Sequence, residues 1–219
     1  MQASKVISGI QQIGIGVSNV YLAWEWYHKN FSFDIKMFEE EAIADLMLPY
    51  TGGQPMERHA LLAINIQGGG GFEIWQYTKR TPLAPLFNIQ CGDLGIFAVK
   101  IKTRNPEAVY EQYKKQDIHI VTDLTENPSD GKSFFIRDPF GNYFQIVEGN
   151  SWFGKNGSLT GGAYGAVIGV SDIQQSIDFY KNILGYDEVI YDETDSFADF
   201  YDVPGGKNRL KRVLLRHSS

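Results

Sequence analysis

Two stretches of the chain carry the same pattern of apolar and polar positions. GVSNVYLAWEWYHKNFSFD (16–34) and GVSDIQQSIDFYKNILGYD (169–187) align without a gap. In the first, Val20, Ala23, Trp24, Tyr27 and Phe31 fall at i, i+3, i+4, i+7 and i+11; in the second, Ile173, Ser176, Ile177, Tyr180 and Leu184 take those places. That spacing is the face of a helix laid on a core. Ser18 and Ser171 are the expected N-caps. A weaker copy, LGIFAVKIKTRNPEAVYEQYKKQDIHIV (94–121), reads strand, helix, strand, with Asn105 as N-cap and Pro106 at the first helical position.

Short alternating runs follow the first two helices. They lie at 33–38, 59–66 and 72–77, and at 118–122, 133–136 and 143–148. Each unit is therefore one strand, one helix and three strands, and the expected class is α+β with tandem βαβββ units curled around a cavity. The expected division is a two-unit domain at 1–149, a Gly/Ser/Asn-rich linker at 150–162 and a third unit at 163–219 that stops near the end of its third strand. The Gly run at 68–71 joins two strands; a phosphate loop would be followed by a helix. In RDPFGNYFQIVEG (137–149), Asp138 and Pro139 open a turn that Gly141 and Asn142 close.

Strand parity separates two faces. Ile13, Ile15 and Val17 suit the helix-packed side, and Gln12, Gly14 and Gly16 the cavity. Applied to the other strands, the same rule gives a pocket wall of Gln12, Glu73, Trp75, Tyr77, Ile96, Ala98, Tyr143 and Gln145. Lys100 shares that parity and is expected at a solvated sheet end.

Composition narrows the function. Twenty Lys and Arg against 26 Asp and Glu give a net charge of −6, the wrong sign for a nucleic-acid footprint. No segment approaches a membrane span. A single cysteine, Cys91, excludes a disulfide within the chain, and a soluble, cytoplasmic protein is expected. The four histidines, His28, His59, His119 and His217, do not cluster; only His59 is placed to reach the cavity mouth.

The paired units, the GIGVSN…WYHKNFSFD start and the DPFGNYFQIVE end resemble the vicinal oxygen chelate superfamily of glyoxalase I, extradiol dioxygenases, methylmalonyl-CoA epimerase and bleomycin-resistance proteins. The resemblance implies a divalent metal held by side chains on the first and last strands of two units, acting as a Lewis acid with a carboxylate base. The four positions fall on Gln12, Glu73, Ile96 and Gln145. Gln12 and Glu73 are the candidate metal ligands, and Glu73 the candidate catalytic group. Ile96 cannot ligate and Gln145 carries no charge, so an alternative is that Gln12 and Gln145 hydrogen-bond Glu73 in place of a metal. In the third unit the first-strand position falls on Gly165.

Three functions follow from this resemblance: a glyoxalase-like lyase or isomerase of a small oxygen-rich metabolite with a degraded metal site, a metal-free binding protein of the resistance or sensor type, or a piece of a four-unit, dioxygenase-like protein. The expected partners are a small-molecule ligand and a second copy, in a homodimer or swapped assembly through the third unit.

Overall fold

The computed structural model describes residues 7, 9–83, 85–129 and 131–217. Residues 1–6 of the expected first unit and 218–219 of the third lie outside that description.

The first unit is β1 (Gln12–Gly16), α1 (Val20–Phe31), β2 (Ile35–Ala44), a 3-10 turn at Asp45–Tyr50, β3 (Met56–Ile64) and β4 (Gly71–Tyr77). Its sheet has the order β1-β4-β3-β2, with β1 parallel to β4. The second unit is β5 (Gly95–Thr103), α2 (Pro106–Lys115), β6 (His119–Ile120), β7 (Thr125–Asn127), β8 (Gly131–Arg137) and β9 (Tyr143–Glu148). The third is β10 (Thr160–Gly169), α3 (Ile173–Leu184), β11 (Glu188–Asp195), a 3-10 turn at Ala198–Phe200 and β12 (Leu210–Arg216). The class is α+β, in curled mixed sheets that do not close.

Each helix begins one residue later than the serines suggested. Asn19 Oδ1 accepts from the backbone N–H of Tyr21 and Leu22, and Asp172 Oδ1 from that of Gln175. A short acceptor at the residue next to the helix meets these orphan donors better than the serine before it. Asn105 caps α2 through Ala108 as expected.

The first two units share one core. Val20, Ala23, Tyr27 and Phe31 of α1 meet Val109 and Tyr113 of α2, Phe72 and Ile74 of β4, and Phe144 and Ile146 of β9. Full burial of side chains of this size contributes about 1.5–3 kcal/mol each. The family turn is part of the joint. Asp138 is buried; its Oδ1 accepts from the N–H of Phe140 and Asn142, and its Oδ2 accepts the Tyr27 hydroxyl at 2.6 Å. Burial first, and then the Asp138 charge, push the Tyr27 hydroxyl pKa well above its ordinary value. The Tyr113 hydroxyl returns the link by donating to the carbonyl of Asn30.

The segment expected as a linker is tied down. Gln67 Nε2 donates to the carbonyls of Ser158 and Thr160, and Arg104 to that of Gly154. Residues 160–162 already belong to β10, which pairs antiparallel with β5. The Gly run at 68–71 is the reason for the close fit. A Cβ on Gly68 would run into the carbonyl of Gly161, and one on Gly70 into that of Ala163. The third unit therefore extends the second unit's sheet, giving the order β10-β5-β9-β8-β6.

Candidate functional site

Because the two sheets pack through their helix-bearing faces, their opposite faces point apart. This divides the expected pocket wall into two sets. Gln12, Glu73, Trp75 and Tyr77 line a concave face on the first unit. Ala98, Tyr143 and Gln145 lie on the second unit's sheet, under the third unit.

The first face is open. A concavity of about 290 Å³ is lined by Gly14, Ile15, Gly16, Met47, Glu73, Trp75 and Tyr77. The glycines make the room: a Cβ on Gly14 or Gly16 would meet nothing within 4 Å. Trp75 and Tyr77 form an edge-to-face wall with centroids 6.1 Å apart, and the Arg58 guanidinium lies 4.8 Å over Trp75 while pairing with Glu40. Met47 arrives from the 3-10 turn after β2. At the base, Gln12 Nε2 donates to Glu73 Oε2 at 2.7 Å. The second carboxylate oxygen of Glu73 accepts no hydrogen bond from the described residues, so it is available to a ligand O–H or N–H.

The second face is filled. Ala98, Phe97 and Phe135 pack against Phe197, Phe200 and Val203, which come from the segment between β11 and β12. Gln145 is 1% exposed; its Nε2 donates to Ser133 Oγ at 3.1 Å and reaches Asp199 Oδ2 at 3.5 Å, while its Oε1 has no partner. Asp199 takes a two-point ion pair from Arg212, at 2.8 and 2.9 Å. The Arg212 guanidinium lies 4.0 Å over Phe200. Lys100 opposes Gln145 on the neighbouring strand. Its stem lies over Gly165, the residue at the third unit's own first-strand position, where a Cβ would meet Lys100 Cδ at 3.2 Å. Desolvation, and then the Arg212 charge, push the Lys100 amine down to about 8. Lys100 is thus drawn into a charged cluster and away from the solvated sheet end expected of it.

Several expected placements change for local reasons. Between Val167 and Ile168 the β10–β5 register shifts, which turns Phe97 onto the filled face and leaves Ile96 57% exposed at the strand start. Ile96 therefore lines neither the cavity nor the plug. Gln145 does not reach Glu73, so only the Gln12 half of the expected amide–carboxylate network exists. His59 sits on the helix side of β3, buried, with Nε2 2.9 Å from Glu39 Oε1. Cys91 is buried, and burial pushes its thiol up to about 11, which suppresses the reactive thiolate.

A divalent metal needs three or four converging protein donors, or oxygen ligands in still larger number. The open face offers one carboxylate and one amide, and the amide turns its N–H to the carboxylate. Among the described residues no three His, Cys, Asp or Glu stand close enough to hold a metal ion. The donor set does not fit a resident divalent metal.

The fold and the repeat now meet the comparisons. The sequence model of the Glyoxalase/Bleomycin resistance protein/Dioxygenase superfamily matches residues 9–146. The chain belongs to this superfamily. A solved glyoxalase family protein from Bacillus cereus is 12% identical, with TM-score 0.50, over 68% of this chain and 98% of that one. A candidate dioxygenase from Bacillus subtilis is 16% identical, with TM-score 0.55, over 97% of this chain and 68% of that one. At these identities the likeness is one of fold, and in the second case it includes the third unit. Nothing matches among the curated proteins. Among the described residues no helix is long and apolar enough to cross a membrane.

The sequence reading missed Asp199 and Arg212. Their only signal was local: a carboxylate between two aromatics in SFADF and a basic residue in an apolar strand, KRVLL. Neither pattern names a partner 13 or 54 residues away.

Proposed function

We propose that this superfamily member binds a small organic molecule in the open face of the first unit without a divalent metal. The observation that carries the reading is the donor set: Glu73 and Gln12 face a glycine-floored, aromatic-walled concavity and are bonded to each other. Trp75, Tyr77 and Met47 offer contact to an apolar or aromatic body. The free carboxylate oxygen of Glu73 selects ligands that carry an O–H or N–H beside that body. A hydrogen bond to a charged group of this kind contributes about 1.5–3 kcal/mol.

Ligand-observed NMR with a panel of small phenols, aromatic acids and hydroxy-ketones tests this, run with and without EDTA. Binding should survive EDTA, weaken about tenfold or more in Glu73→Ala, and vanish in Gly14→Leu, whose side chain fills the concavity. Hits that disappear with EDTA, or that persist in Gly14→Leu, overturn it.

A second reading rests on the same pair. Gln12 and Glu73 occupy both metal positions of the first unit and touch, which supports a glyoxalase-like lyase or isomerase with Glu73 as base. On that reading, adding Mg²⁺, Mn²⁺, Ni²⁺ or Zn²⁺ to metal-stripped protein raises the melting temperature, and Glu73→Ala abolishes the rise.

A further inference from the structure

The first and third units are the same motif in opposite circumstances, and the difference is confined to one side of the helix. Residue pairs separated by 153 positions correspond in the gapless alignment. Ile15 and Val17 are 5% and 6% exposed, whereas their counterparts Ile168 and Val170 are 40% and 37% exposed. Val20, Ala23, Tyr27 and Phe31 of α1 are all buried; α3 has no buried residue. Trp26 packs against the shared core, and its counterpart Phe179 is 52% exposed. Tyr27 donates to Asp138 of the neighbouring unit, while the hydroxyl of its counterpart Tyr180 meets no described residue.

The residues exposed on α3 are thus those that, on α1, meet the neighbouring unit. The chain itself shows what covers such a face. The α1 face is covered by the α2 face of a second βαβββ unit, through one continuous core that includes Val109, Tyr113 and Phe144. A helix face of one unit is matched by that of another unit of the same kind.

We propose that two copies of this chain associate through α3 and the end of β10, the third unit of each copy covering that of the other. Two identical faces related by a twofold axis are the symmetric form of the α1–α2 packing, and closed twofold pairs are the commonest homo-oligomers. A contiguous apolar face on an otherwise charged surface is the usual mark of such a contact. Phe179 and Val170 would lie in the contact, with Tyr180 at its centre.

Light scattering coupled to size exclusion, at micromolar protein, reads the outcome. The wild-type chain should run at twice its 24.7 kDa mass. Phe179→Glu and Val170→Glu should each raise the dissociation constant at least tenfold. Both positions are exposed, and an unchanged circular dichroism spectrum confirms that the variants fold. Leu46→Glu, 89% exposed on the first unit, should leave the dimer intact. A wild-type monomer overturns the proposal, whether the face stays bare or takes a different partner. So does a dimer that resists both α3 variants, or one that Leu46→Glu dissociates.

Discussion

The concave faces of the first and second units descend from one motif and have come to opposite ends. On the first, Gly14 and Gly16 leave space, and Glu73 keeps one oxygen free. On the second, Phe200 and Val203 occupy the space, and the charge that enters with them, Asp199, is neutralised by Arg212. Equivalent strand positions therefore hold a solvent-facing carboxylate in one unit and a buried, half-satisfied amide in the other. What lies across a sheet face decides whether that face is a site or a core. The second face acquired its occupant from the same chain.

Substitutions across the ion pair give the sharpest test of this contrast. Arg212→Ala leaves Asp199 buried with only the long contact to Gln145, and a broken buried pair costs about 3–5 kcal/mol. Glu73→Ala on the open face should stay within about 0.5 kcal/mol. Urea unfolding of both variants measures the gap, and equal losses would dissolve the distinction between a plugged and an open face.

Tyr27→Phe tests whether the two faces are held on one rigid pair of units. It removes the donor to a buried carboxylate, so a loss of about 1–3 kcal/mol is expected. A loss under about 0.3 kcal/mol would mean that the Asp138 turn does not couple the units.

The pH dependence separates the faces more finely. The Lys100 amine titrates near 8 in the folded chain and near 10.5 when unfolded. Between these values the unfolded chain binds more protons, so stability rises with pH through that window. Lys102, pushed down to about 8 mainly by burial, acts in the same direction. Lys100→Met should reduce the rise between pH 8 and 10 without removing it. An unchanged slope would place the amine in water. The smallest stability effect belongs to Gly14→Leu, expected within about 0.5 kcal/mol because the side chain enters empty space. Gly68→Leu should fail to fold, since its Cβ meets the backbone of Gly161.

Much of the architecture was legible. The repeat, the three helices and their apolar stripes follow from spacing alone, since burial of one helix face demands a 3.6-residue period. Alternation on β1 and β4 placed Gln12, Glu73, Trp75 and Tyr77 together, because parity survives wherever a strand runs without a bulge. On β5 the same rule misplaced Phe97 and Ile96, where the register to β10 shifts. One bulge reverses every assignment beyond it.

The DPFGN turn announced the family in sequence and became a structural clasp in space, through a tyrosine 111 positions earlier. Composition and periodicity determined which segments are strands and helices and which face of each is apolar. Only the tertiary structure decided that the two sheets turn their polar faces apart, that residues 197–203 fill one of them, and that Glu73 is left facing solvent. The physical reason is that local sequence sets a strand's two faces, but what covers each face is a long-range choice, made by whichever apolar segment can be buried there with its charges paired.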